Sequence, residues 1–268
     1  GLALLTVRRG GGLAPSDGEA FADSTGSGGA WSTLDLLTAS ALLGVAVTTV
    51  CGLVLARAGL FSTGAVAALL GGATVLICLS RGWPRFVLPR LRRLSAPEVL
   101  ALLLAAGTVA YVTAFRFHEV AGLRDPGVYV NTGIELSRTG TLGWTDPAIE
   151  RFGFYGAFHL LEDIGFKVDG NPRWLRFAGY YLPRPERGEV EPQFLHGYEV
   201  WMALAYGLGG VQGTQILNGV FAALALLAIF GAMRGVTGSQ AAAGFTAVLL
   251  AASPAQLWFA RMPGNEVM

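Results

Sequence analysis

Between Arg116 and Glu199 lie 21 of the chain's 37 charged residues, among them 12 of its 18 acids. Aromatic residues crowd the same stretch. Acids, arginines and aromatics together suit a site that grips polar, ring-shaped ligands such as carbohydrates, or an aromatic belt at a membrane surface. Its sharpest segment is Asp125-Pro-Gly-Val-Tyr129. Asp125 can cap a helix whose first residue is Pro126, and Gly140 can end it. Val128, Tyr129, Ile134 and Leu136 then form an apolar stripe, which predicts a short amphipathic helix on the membrane surface. His196 and Glu199, three residues apart, share a helix face and can bind a metal, a phosphate or each other. Arg261 and Glu266 flank a Pro-Gly break, where Glu266 can form a second acidic wall.

These residues need elements to hold them. The whole chain is 53% hydrophobic and only 14% charged, against about 25% charged in soluble domains. That balance excludes a disordered chain, a nucleic-acid binder and a water-soluble enzyme. A spanning helix takes about 20 mostly apolar residues. Leu34–Ala56, Leu60–Leu79, Pro97–Phe117, Gln215–Met233 and Gln240–Ala260 meet that requirement. Tyr198–Val211 is short and glycine-rich at its end. It either spans fully, with Arg234 outside and Glu266 inside, or is a half-helix or interfacial segment with the reverse, which its length and the positive-inside rule favour. Arg234 falls in the turn before the last span. The expected architecture is an all-α polytopic membrane protein. It has about five to six transmembrane helices and a large extracytoplasmic loop carrying short amphipathic helices.

Arginines orient it. Arg81, Arg85, Arg90, Arg92 and Arg93 lie between the second and third spans, which marks loop 80–96 as cytoplasmic. Residues 1–33, rich in glycine and serine, read as a flexible cytoplasmic tail. Residues 34–117 hold three spans. Residues 118–197 form the extracytoplasmic loop, and residues 198–268 add two to three further helices. The chain starts at Gly1 and stops at Met268 without a charged tail, so it reads as a fragment open at its carboxyl end. Within the loop, Thr145-Asp-Pro147 reads as a turn or helix start, and Gly179–Pro183 as a short strand or aromatic plug. Cys51 and Cys78 fall roughly 20 Å apart along a hairpin of the first two spans, too far for a disulfide.

An acidic residue followed by a Tyr-containing amphipathic helix in the first large outer loop resembles the GT-C superfamily of polytopic glycosyltransferases. Pro192-Gln-Phe-Leu-His-Gly197 resembles the segment that re-enters the membrane after that loop. Ser253-Pro through Arg261 to Glu266 resembles the family's span end with an arginine and then an acid. The resemblance covers roughly residues 97–268 and leaves the first two spans as additions. It implies transfer of a sugar from a polyprenyl-phosphate donor to a glycan, lipid or protein acceptor, at the outer face of a bacterial-type plasma membrane. It implies inversion, with Asp125 as general base. Arg124, His196 and Arg261 would stabilise the leaving phosphate, and Tyr129 and Glu199 would line the substrate site. A divalent metal, Mg or Mn, would sit between Asp125 and Glu266. Many members carry two adjacent acids where this chain has Asp125-Pro126, so the partner falls to Glu119 or Glu266. A transporter is the main rival, since transporters too are polytopic, but its charges would sit near the bilayer midplane on broken helices. A non-catalytic scaffold whose outer loop binds a partner is the other.

Overall fold

The computed structural model describes residues 32–80, 94–118, 125–153, 175–177, 179–194 and 196–264. Besides a short helical stretch at 147–153, seven helices order this part of the chain: α1 (Thr33–Arg57), α2 (Thr63–Ser80), α3 (Ala96–Phe115), α4 (Asp125–Thr139), α5 (Gly197–Thr237), α6 (Gln240–Ala251) and α7 (Pro254–Ala260). Four of them, α1, α2, α3 and α5, are long and apolar enough to cross a membrane, and a fifth crossing follows if α6 and α7 count as one. The protein is thus mainly helical, as its composition requires. Val50, Val54, Leu76 and Leu79 are exposed on α1 and α2. Such side chains suit lipid rather than water.

Helix starts follow local chemistry. Ser32 caps α1, its Oγ accepting from the Asp35 amide at 3.2 Å while Asp35 accepts from the Ser32 amide at 3.0 Å. Glu98 does the same for α3, accepting from the Ser95 amide at 2.8 Å, with Pro97 in the first turn. Both acids then do a second job. Arg234 donates to Glu98 Oε1 at 2.7 Å and to Ser32 Oγ at 2.9 Å, and it pairs with Asp35. The sequence placed Arg234 in a turn, but α5 continues through it to Thr237. The gain of two carboxylate partners favours this extra helical turn. Above this clamp, Leu34, Ala101, Ala105, Leu226, Phe230 and Ala243 form a buried core among α1, α3, α5 and α6. Phe230 and Ala101 are fully buried there, and between spans such contacts act through close packing rather than removal from water.

The helix α5 is not one rod. Gly210 has φ 60° and ψ −152°, outside the helical region. Tyr198 reaches Asn218 by a 2.7 Å hydrogen bond, and the rings of Trp201 and Phe221 stand 5.6 Å apart. In a straight helix residues 20 apart lie about 30 Å apart. Residues 197–209 therefore fold back along residues 211–237 as a hairpin. A Cβ on Gly213 would come within 2.1 Å of the Ala205 carbonyl oxygen, so the turn admits only glycine there. The last expected span is broken as well. α6 and α7 meet at 59°. Pro254 has no amide hydrogen to continue α6, and Ser253 starts α7 by accepting from the Gln256 amide at 3.4 Å.

The long loop holds more than helices. β1 (Trp144–Thr145), β2 (Leu175–Phe177), β3 (Tyr180–Leu182) and β4 (Glu189–Pro192) form an antiparallel sheet in the order β1-β4-β3-β2. Gly188, at φ 65°, turns the chain into β4. Asp146 does open a helical turn, accepting from the Ala148 amide at 2.7 Å. Cys51 and Cys78 are both free thiols.

Candidate functional site

The helix α4 begins at Asp125, one residue earlier than a capping role would put it, and ends at Gly140 with φ 76°. Asp125 is exposed, whereas Val128, Tyr129, Val130, Thr132, Ile134 and Leu136 are buried. The apolar face of α4 is therefore buried in protein rather than left for lipid. Protein covers α4 from two sides. On one side Gly133 packs against Met202 of the α5 hairpin, so closely that a Cβ would sit 2.4 Å from the Met202 Cβ. On the other, Val128 lies under Gly179, and the Tyr180 hydroxyl donates to the Val128 carbonyl at 3.3 Å. Burial pushes the Tyr180 phenol up to about 12.

From Tyr129 a chain of contacts leads across the site. Its ring stands 5.0 Å from that of Phe194 and 5.2 Å, edge-on, from that of Tyr198. The Tyr198 hydroxyl donates to Asn218 Oδ1 at 2.7 Å, and Asn218 Nδ2 donates to the carbonyls of Met262 and Gly264. Asn218, 1% exposed, thus ties α4 and both arms of the hairpin to the segment after α7. Nothing in the sequence flagged it, because a lone Asn inside an apolar run carries no spacing signal. Arg116, near the end of the third expected span, is likewise unflagged, yet its Nε donates to Gln215 Oε1 at 3.3 Å.

Arg261 lies beside this chain but faces α3. Its carbonyl accepts from the Phe117 amide at 3.1 Å, its Nε donates to the Phe115 carbonyl, and its guanidinium stacks on the Phe117 ring at 4.2 Å. It caps the end of α3, where free carbonyls attract a cation. His196 and Glu199 choose each other among their possible partners: Nδ1 and Oε2 are 3.1 Å apart. Glu199 is fully buried and its Oε1 has no partner among the described residues. His196 also lines a cavity of about 420 Å³ with Arg57, Thr141 and Glu191.

The structure therefore brings Tyr129, His196 and Glu199 onto one helix pair, with Asp125 a turn before Tyr129. Arg124, Glu119 and Glu266 lie outside the described residues. Among the described residues, no three His, Cys, Asp or Glu side chains gather into a group fit to hold a metal. Asp125 is the only described member of the expected pair, so no step is assigned to a metal. No family model, no curated protein and no solved structure matches the chain.

Proposed function

We propose that the protein is a membrane glycosyltransferase of GT-C type. It transfers a sugar from a polyprenyl-phosphate donor to an acceptor at the extracytoplasmic face. Asp125 takes the proton from the acceptor hydroxyl as that oxygen attacks the anomeric carbon from the side opposite the phosphate, which inverts the centre. The leaving lipid phosphate departs as an anion, and Arg124 and Arg261 are the cations offered to it.

One observation carries this reading. Asp125 is exposed at the start of α4, while the rest of α4 is clamped between the hairpin and the sheet. A carboxylate free to meet substrate on a helix that cannot shift is what a general base requires. Orientation supports it too. The arginine-rich segment 81–93 joins the ends of α2 and α3 farthest from α4. With that segment cytoplasmic, α4 and the sheet face outward. A lipid-tailed donor reacts at a membrane face because its tail stays in lipid.

The test is sugar transfer by purified protein in lipid. Asp125→Asn should lower turnover by about 10²- to 10⁴-fold with the fold intact. Wild-type turnover in that variant would sink the assignment. The breaks at Gly210 and at Ser253-Pro254 favour a second reading, a transporter, whose discontinuous helices bind substrate. Counterflow of a labelled solute into vesicles without sugar transfer would select it.

A further inference from the structure

Apart from His196, which the resemblance offers to the leaving phosphate, the cavity lined by Arg57, Thr141, Glu191 and His196 takes no part in that reading. It opens where α1 ends, between residues 56–59, the loop 141–143 and the end of β4. The helix α1 lies outside the portion that resembles the glycosyltransferases, so the resemblance contains no counterpart for this cavity.

Its polar groups form a built site. The His196 imidazole has one nitrogen engaged by Glu199, at 3.1 Å. Its other nitrogen, Nε2, is left for whatever occupies the cavity. Glu199 is buried completely, with one oxygen unpartnered. A buried carboxylate must share a proton or face a cation. If His196 is protonated, both ring nitrogens donate. If the proton resides on Glu199 and bonds to Nδ1, Nε2 again carries hydrogen. A neutral imidazole that gave its Nδ1 hydrogen to an ionised Glu199 would leave Nε2 an acceptor, so it is the other two states that offer a phosphate an N–H donor, and Arg57 adds a fork of donors at the exposed end of α1. Both residues line the same cavity from different elements, and donors of this kind match the oxygens of a phosphate. Glu191, exposed in the same lining, accepts only. It repels a bare phosphate and rewards a ligand that places a hydroxyl beside it. A cavity of about 420 Å³ has room for such an ester but not for a long polymer.

We propose that this cavity binds a phosphate ester of a polyol, with Arg57 and His196 holding the phosphate and Glu191 accepting from a hydroxyl. The ester is either a soluble molecule or the headgroup of a lipid, and the two sources share the same chemistry.

The full chain, reconstituted in phosphatidylcholine nanodiscs, allows the test. Inorganic phosphate and glycerol 3-phosphate are titrated by calorimetry, and nanodiscs containing phosphatidylglycerol are compared for thermal unfolding. Saturable binding of glycerol 3-phosphate supports the soluble source. Stabilisation by phosphatidylglycerol alone supports the headgroup. In both cases Arg57→Gln, at an exposed helix end where folding is not at stake, should weaken the response about tenfold. Glu191→Gln should erase the preference of glycerol 3-phosphate over phosphate. No saturable response to any probe, or full affinity in Arg57→Gln, overturns the proposal. Because no sugar is transferred in this experiment, its result is independent of Asp125.

Discussion

The two ends of the helix set are fastened by opposite chemistry. At the start of α1 and α3, one guanidinium, Arg234, joins two carboxylates, Asp35 and Glu98, whose side chains are 15%, 15% and 4% exposed. At the other end, one neutral amide, Asn218, joins a phenol and two backbone carbonyls. The ionic clamp gathers three helices but is intolerant of losing a partner, because the remaining charges are costly to bury. The neutral hub loses only hydrogen bonds when cut.

That contrast sets an order of effects, all readable by denaturant or thermal unfolding in detergent micelles. Arg234→Met should be the most damaging, at about 3–5 kcal/mol, since it strands two carboxylates. Adding Asp35→Asn and Glu98→Gln should recover much of that loss, and failure to recover it would mean that the charges are not what holds this end. Asn218→Leu should cost less, about 2–3 kcal/mol, by orphaning the Tyr198 hydroxyl and two carbonyls. A larger loss there than at Arg234 would reverse the comparison. Gly133→Ala should cost about 1–3 kcal/mol, because the added methyl meets Met202 and pushes α4 off the hairpin.

Tyr180→Phe should have the smallest effect at neutral pH, under about 1 kcal/mol, since it removes one long hydrogen bond. Its signature is in alkali. Tyr180 in the folded protein holds its proton up to about 12, against 10.0 for a free phenol. Its contribution is fully present below pH 10 and is lost as pH rises toward 12, because the unfolded chain ionises first. The variant should lack that part of the alkaline loss, and identical alkaline profiles for the two proteins would show that Tyr180 is not buried as described.

Much of the helical frame was legible because spans of about 20 apolar residues have few alternative structures. The ends of α1 and α3 were legible to within a residue or two. Pro126 and Gly140 marked the extent of α4, since the chemistry of helix ends is local, although the helix takes in Asp125 rather than being capped by it. What was hidden depends on pairing across long separations. The amphipathic stripe of α4 says that one face is apolar but not whether lipid or protein covers it. Gly207, Gly209 and Gly210 announced a break after Tyr198 but not that the chain would reverse. The sheet was suggested only at Gly179–Pro183, because β1 has two residues and β2 three, too short for alternation to register. Asp35 and Glu98 stand at the starts of their spans and Arg234 in an expected turn, and nothing in their spacing pairs them. Only the fold shows that they meet.

The distance along the chain between those partners has a consequence for synthesis. Ser32 and Arg234, joined in the finished clamp, are 202 residues apart. At a ribosomal pace of 5–20 residues per second, about 10–40 seconds separate the emergence of one from the other. Throughout that interval α1 and α3 carry acids with no guanidinium to meet, so their mutual docking at this end awaits α5. The clamp thus closes only after residue 234 is made. A chain halted before that point is left with two carboxylates that no guanidinium answers, and burying them is costly.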